Sequence, residues 1–181
     1  MKKKIFIGLG IVLVAFVGYV GYGLLTTRSH SPLQKTDYSF KGLDISVSYC
    51  RPYKKGRVIF GTREDKALLP NGKYWRLGAN DATEISFSKD INFAGKPVSA
   101  GRYRMYAVPN STSWQVSLNS ELGKFGFFEP DYTKDVLKVD LPTGTFPETE
   151  QFTITLGNDS TGVQMDLIWD KTMVRVPITA R

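Results

Sequence analysis

The chain has 181 residues, 41% of them hydrophobic, with one cysteine, one histidine and a formal net charge of +7. This length suits one globular domain with a short additional segment. A single cysteine excludes a disulfide bond within the chain. The single histidine, His30, lies in the polar segment 26–36 that precedes the domain, so Ser-His-Asp triads and histidine-based metal sites lack a part there.

The positive charge does not indicate nucleic-acid binding. Four basic residues, Lys2, Lys3, Lys4 and Arg28, precede position 29, so residues 29–181 hold 20 basic side chains (24 − 4) against 17 acidic ones, a net charge of +3 (20 − 17). No basic helix or arginine-rich tail accompanies this ordinary balance. We therefore expect no nucleic-acid partner.

Residues 1–25 are predicted to be an uncleaved membrane anchor. Three lysines precede 21 uncharged and mostly apolar residues, 5–25, and a helix of that length spans roughly 30 Å, the thickness of a bilayer's hydrocarbon core. A cleaved signal peptide is the alternative, but its apolar region is shorter, about 7 to 15 residues. The lysines favour a cytoplasmic N-terminus, which places the remaining chain in the periplasm or outside the cell.

Residues 26–36 are polar and include a proline, which predicts a tether. Over residues 37–181, apolar and polar residues alternate in short runs such as LDISVSYC (43–50), separated by turn signals such as Asn71-Gly72. Alternation of this kind buries one face of a strand and leaves the other in water. We therefore predict an all-β domain, an antiparallel β-sandwich of jelly-roll or Ig-like type, preceded by one N-terminal transmembrane helix.

Most catalytic motifs are missing from the sequence, which contains no GxGxxG, HExxH or GxSxG pattern. Carboxylate chemistry remains open, through Asp81 and Glu84 or through Glu129, Asp131 and Asp135. Glycoside hydrolysis needs two carboxylates at a defined separation. The second group could bind a hard cation, but its spacing is not that of an EF-hand, which favours solvated surface charge. We predict no catalytic residue, no metal site and no cofactor.

Basic residues cluster between positions 51 and 76, and three arginines there occupy tight settings. Arg51 precedes a proline, Arg57 follows a glycine, and Arg76 follows Trp75. The planar guanidinium suits a carboxylate or phosphate and stacks on aromatic rings. The hypothesis is a pocket for a small anionic ligand. Its candidate ligand-binding residues are Arg51, Arg57, Trp75, Arg76, Asn80, Thr83 and Glu84.

The same segment is also compatible with a purely structural role, which is the more economical interpretation. The arginines could pair with Glu84, Asp81 or loop carbonyls. Trp75 would then fill the core, Gly78 would permit a positive φ, and Asn80 would close a local turn.

Three segments resemble a bacterial family known as domain of unknown function 2911. They are RPYKKGRVIFG (51–61), LPNGKYWRLGANDATEISF (69–87) and AGKPVSAGRYRMYAVP (94–109), with weaker matches at SWQVSLN (113–119) and around Trp169. The pattern WR-x-GAN-x-AT (75–83) is the most specific part. The resemblance implies export and a β-rich domain but no catalytic residues. Leu77 stands where the family pattern implies a threonine, so a hydroxyl is missing there.

Together these features predict a single-pass protein of a bacterial cell envelope. The membrane would be contacted through residues 5–25, and the exported domain would bind a small anionic ligand or an envelope protein without catalysis. Two alternatives remain. One is a carboxylate-dependent hydrolase that acts on envelope glycans or other polymers through Asp81 and Glu84. The other is a structural subunit of an envelope complex, marked by an exposed apolar patch.

Overall fold

The N-terminal segment is helical. The computed structural model describes residues 2–181, except for the side chains of residues 2–7, 9, 11 and 24–28. Helix α1 comprises Lys2–His30, and apolar side chains along it, including Val14, Phe16 and Val17, are exposed. Among the described residues, no helix has both the length and the apolar character needed to cross a membrane.

The segment predicted as a tether, residues 26–36, is largely regular structure. Helix α1 continues to His30 and the first strand, β1, comprises Leu33–Phe40, so only Ser31 and Pro32 lie between them. The β1 residues alternate between exposed and half-buried positions, and the strand is polar enough to resemble a linker in the sequence. The Pro32 carbonyl accepts a hydrogen bond from Arg51 N at 2.9 Å, which joins the end of the helix to the domain.

Ten further strands and one short 3₁₀ helix, Tyr132–Lys134, follow β1 in the described chain. The strands are β2 (Leu43–Cys50), β3 (Phe60–Gly61), β4 (Leu69–Pro70), β5 (Thr83–Phe87), β6 (Ile91–Phe93), β7 (Lys96–Val98), β8 (Gly101–Pro109), β9 (Ser113–Asn119), β10 (Asp135–Asn158) and β11 (Val163–Ala180).

Nine strands form one antiparallel sheet in the order β1-β2-β5-β8-β9-β10-β11-β6-β7. Strands β3 and β4 form a separate parallel pair, with Phe60 opposite Leu69. The prediction of an antiparallel all-β domain is therefore confirmed. Short strands joined by tight turns favour this arrangement, because neighbouring strands can pair directly without a long crossover.

Strand β10 explains how one sheet encloses a core. Its first part, residues 135–142, pairs with β9, whereas residues 143–158 pair with β11. The register shifts between Thr145 and Thr149 and again before Thr153, and such irregularities bend a strand. The sheet therefore folds at β10, and strands from its two parts face each other across the core. For example, Phe87 of β5 contacts Phe93 of β6, with ring centroids 6.3 Å apart.

The alternation in the sequence corresponds to burial in the structure. In β2, Leu43, Ile45 and Val47 are buried, and Asp44, which lies between Leu43 and Ile45, faces solvent. One hydrophobic cluster includes residues from both parts of the folded sheet. Each fully buried large side chain contributes about 1.5–3 kcal/mol relative to exposure, so this cluster is the main source of stability.

Candidate functional site

The loop between β4 and β5 is attached to the core by Trp75. The backbone of Trp75 exchanges two 2.8 Å hydrogen bonds with Ala107 of β8, and its side chain is only 3% exposed. The indole packs against Trp114, Trp169 and Phe152, with ring centroids between 4.9 and 5.8 Å away. The structural role predicted for Trp75 is therefore present, and the residues that follow it are held at the edge of the core.

Three residues after Trp75 turn the chain sharply. Leu77, Gly78 and Asn80 have φ angles of +53°, +146° and +55°. A Cβ on Gly78 would lie 2.5 Å from the Cys50 carbonyl oxygen, so only glycine fits this position without displacing backbone. The Leu77 side chain is fully buried in the core, so the position at which a family threonine was expected does not present its side chain to solvent.

A cleft of about 580 Å³ opens beside this loop. Five aromatic residues, Tyr53, Tyr74, Trp75, Phe127 and Trp169, form part of its wall. Three cationic side chains, Lys55, Arg57 and Arg76, also line it, and its lining residues include no aspartate or glutamate. Such a combination of aromatic surface and unopposed positive charge is suited to an anion with an apolar portion.

Arg76 is the most deeply placed of these cations and is half-buried. Its Nη1 donates one long hydrogen bond, at 3.4 Å, to the Asn80 carbonyl, and its guanidinium lies 5.9 Å from the Phe127 ring centroid. No described carboxylate forms an ion pair with it. Burial lowers the pKa of Arg76 below its usual value, and the nearby Arg104 guanidinium contributes in the same direction. An anion in the cleft would relieve both effects.

Arg57 and Lys55 lie on the loop after β2. The Arg57 side chain is held by that loop, because its Nε donates to the Lys54 carbonyl at 2.9 Å and its Nη2 donates to the Tyr53 carbonyl. Both residues are exposed. Together with the half-buried Arg76 they make the lining of the cleft positively charged.

The side-chain amide of Asn80 includes a buried hydrogen-bond donor without an acceptor among the described residues. This donor is Nδ2, while the Asn80 backbone carbonyl accepts from Gly126 N at 3.0 Å. A buried donor without an acceptor costs about 1–3 kcal/mol. Asn80 lines the cleft, so a ligand oxygen or a water molecule could remove that cost.

The other predicted site residues have structural partners and are not among the lining residues of the cleft. Arg51 donates to the Phe152 carbonyl at 3.1 Å and to Thr153 Oγ1 at 2.7 Å. The buried Thr83 hydroxyl donates to the Leu77 carbonyl at 2.6 Å. Glu84 pairs with Arg102 and accepts from Gly123 N at 3.0 Å. The structure thus brings together Arg57, Trp75, Arg76 and Asn80, and leaves Arg51, Thr83 and Glu84 outside that group.

The segment between β9 and β10, residues 120–134, covers the outer face of the sheet and was missed as part of the site. Beneath it Arg104 is only 1% exposed and donates from Nη2 to Tyr74 Oη and to the Phe128 carbonyl. Gly126 packs so tightly that a Cβ there would lie 2.7 Å from Arg76 Cδ. The run KFGFF (124–128) is the sequence signal that could have drawn attention to this segment, because clustered aromatic residues in a loop are unusual.

A model of the family described as "Protein of unknown function (DUF2911)" matches residues 31–178. The chain belongs to this family. The match begins directly after α1 and includes all eleven strands of the described chain, apart from the last two residues of β11. The resemblance predicted from the WR-x-GAN-x-AT segment is therefore confirmed. Neither the curated proteins nor the solved structures contain a match to the chain.

The structure also shows the surroundings of four other residues considered in the sequence, His30, Glu129, Asp131 and Asp135. His30, which belongs to the segment predicted as a tether, lines the cleft together with Ser31. Of the predicted carboxylate group, Asp131 caps the 3₁₀ helix, Glu129 accepts from Tyr132 Oη, and Asp135 accepts from Tyr106 Oη and Asn119 Nδ2. Within the described part of the chain, no cluster of three histidine, cysteine or acidic side chains has metal-binding geometry.

Proposed function

We propose that this DUF2911 domain is a non-enzymatic binding module for a small anionic ligand with an apolar or aromatic portion. The ligand would occupy the cleft lined by Arg57, Trp75, Arg76 and Asn80. The proposal rests mainly on Arg76, which is half-buried, forms no ion pair with a described carboxylate, and lines a cleft without acidic lining residues. A partly desolvated guanidinium needs a counter-charge, and a ligand anion provides one.

The composition of the cleft supports binding rather than carboxylate-dependent hydrolysis. Hydrolysis of that kind requires acidic side chains facing the substrate, and neither Asp81 nor Glu84 lines the cleft. The aromatic wall instead offers stacking surface, which contributes to affinity without any reaction. The rigid attachment of Trp75 to β8 keeps the wall in place before a ligand arrives, which lowers the entropic cost of binding.

We further propose that the domain is a β-sandwich held at the outer face of a bacterial membrane by α1. Support comes from the uncharged run 5–25 and from the lysines that precede it. The exposed apolar side chains of α1 add to this support. In this arrangement the N-terminus is cytoplasmic and the domain is periplasmic or extracellular.

The binding proposal is tested by calorimetric titration of the full chain, held in phosphatidylcholine nanodiscs, with phenyl phosphate and with neutral benzyl alcohol. Phenyl phosphate should bind more tightly, because only it supplies an anion. Arg76→Gln and Arg57→Gln should each weaken its binding about tenfold, the effect of one lost charge-assisted contact. Arg63→Gln is the matched control, since Arg63 is exposed and is not a lining residue. Equal affinity of wild type and both site variants would contradict the proposal.

A further inference from the structure

The cleft lies close to the end of the apolar segment of α1. His30 is the last residue of that helix and, with Ser31, lines the cleft. The apolar run ends at Leu25, and the five helical residues from there to His30 cover only about 8 Å. Whatever surface the apolar helix enters is therefore within a short distance of the cleft.

An exposed aromatic surface adjoins the same cleft. Phe127 and Phe128 are each 66% exposed, and Phe125 on the same loop is 50% exposed. Phe127 also lines the cleft, and Lys124 precedes this run. Exposed phenylalanines beside a lysine are typical of loops that enter the boundary between lipid headgroups and acyl chains. The cationic cleft thus continues into a surface that suits hydrocarbon.

We infer that the ligand of the cleft is an anionic phospholipid of the membrane in which α1 is inserted, an inference that rests on the proposed function. The phosphate of the headgroup would contact Arg76 and Arg57, and the acyl chains would lie along Phe127 and Phe128. A lipid accounts for both halves of the site, because it joins a phosphate to an apolar chain. A free phosphate ester would leave the exposed phenylalanines without a role.

The inference is tested on the full chain in phosphatidylcholine nanodiscs. A fraction of the lipid is replaced either by phosphatidylglycerol with brominated acyl chains or by equally brominated phosphatidylcholine. Bromine quenches nearby tryptophans, and Trp75 and Trp169 line the cleft. Brominated phosphatidylglycerol should quench the emission more strongly than brominated phosphatidylcholine. Arg76→Gln and Arg57→Gln should both lose that difference, whereas Arg63→Gln should retain it.

Two outcomes would overturn the lipid inference. One is equal quenching by the two brominated lipids. The other is complete relief of the quenching by soluble glycerol phosphate, which would identify a free phosphate ester as sufficient. If the lipids quench equally while phenyl phosphate still binds, the lipid inference fails and the proposed function stands. If phenyl phosphate also fails to bind, both fail. Thermal unfolding of each variant shows whether it is folded, and the exposed Arg57 position provides a second variant if Arg76→Gln is unstable.

Discussion

The Tyr74 hydroxyl accepts a hydrogen bond from the buried Arg104 guanidinium at 2.6 Å. The same hydroxyl donates to the Gly126 carbonyl at 3.1 Å. One side chain therefore joins the loop that carries Arg76 to the segment that carries Phe127. This contact is one of two hydrogen bonds that the Arg104 side chain forms within the described residues, the other being to the Phe128 carbonyl. The Nε and Nη1 atoms of Arg104 have no hydrogen-bond partner in the described chain, and a Glu121 carboxylate oxygen is 3.8 Å from Nη1.

Tyr74→Phe should lower the free energy of unfolding by about 1–2 kcal/mol, because it removes both hydrogen bonds and leaves Arg104 with one fewer acceptor. Urea unfolding followed by tryptophan fluorescence measures the change. Tyr53→Phe is the control, since Tyr53 lines the same cleft but its hydroxyl forms no hydrogen bond within the described residues. An equal loss in the two variants would show that the Tyr74 hydroxyl does not hold the loops together.

Gly78→Ala should destabilise the domain by about 3 kcal/mol or more, because the new methyl group would overlap the Cys50 carbonyl oxygen and φ is +146°. Thermal unfolding followed by circular dichroism measures the effect. Gly157→Ala in β10 provides the comparison, since no heavy atom lies within 4 Å of a Cβ at that position. It should change the free energy of unfolding by less than about 1 kcal/mol. A wild-type melting temperature for Gly78→Ala would refute the close packing described for this turn.

Asp159→Asn should reduce stability at neutral pH but have little effect in strong acid. Hydrogen bonds from the Thr161 side chain and backbone hold the pKa of Asp159 below its usual value. Its stabilising contribution is therefore present above the unfolded-state pKa of about 3.9 and is lost as the pH falls through the lower folded-state pKa. Urea unfolding of both proteins across the acidic range should give curves that converge at low pH. If the unfolding free energies of the two proteins differ by the same amount at every pH, this role is contradicted. Asp140→Asn is a control that replaces another aspartate by its amide.

Replacing Val14 and Val17 together by aspartate should release the protein from the membrane fraction, because each charge is costly in the hydrocarbon core. Both side chains are exposed on α1. Alkaline extraction of membranes followed by immunodetection gives the distribution. Val58→Asp, at an exposed position of the domain, should leave the protein in the membrane fraction. Retention of the double variant there would refute anchoring by α1.

The antiparallel sheet was predictable because the burial pattern of a strand is local. In β2 and β11, alternating apolar residues correspond to buried positions. Membership of the family was predictable for a similar reason, since WR-x-GAN-x-AT is contiguous. By contrast, β1 has a weaker alternation, and its first four residues, 33–36, fall within the predicted tether. The pairing of β1 with β2 depends on a partner strand as well as on its own residues.

The composition of the site required the tertiary structure. Glu84 lies opposite Arg104 in the pairing of β5 with β8, yet its carboxylate pairs with Arg102, which no spacing in the sequence reveals. Which arginines share a cleft depends on the path of each loop, and loop paths are set by contacts between distant residues such as Tyr74 and Gly126, 52 positions apart.

From the sequence alone, the periodicity of side chains determined the β-rich domain, and the long uncharged run supplied the expectation of an anchor. Both are properties of neighbouring residues, so they can be recognised without coordinates. The tertiary structure decided that Arg76 and Arg57 face one cleft, that Arg51 holds β10, and that residues 120–134 cover Arg104. The physical reason is that register and loop packing join residues that are far apart in the chain, and a local pattern carries no information about such contacts.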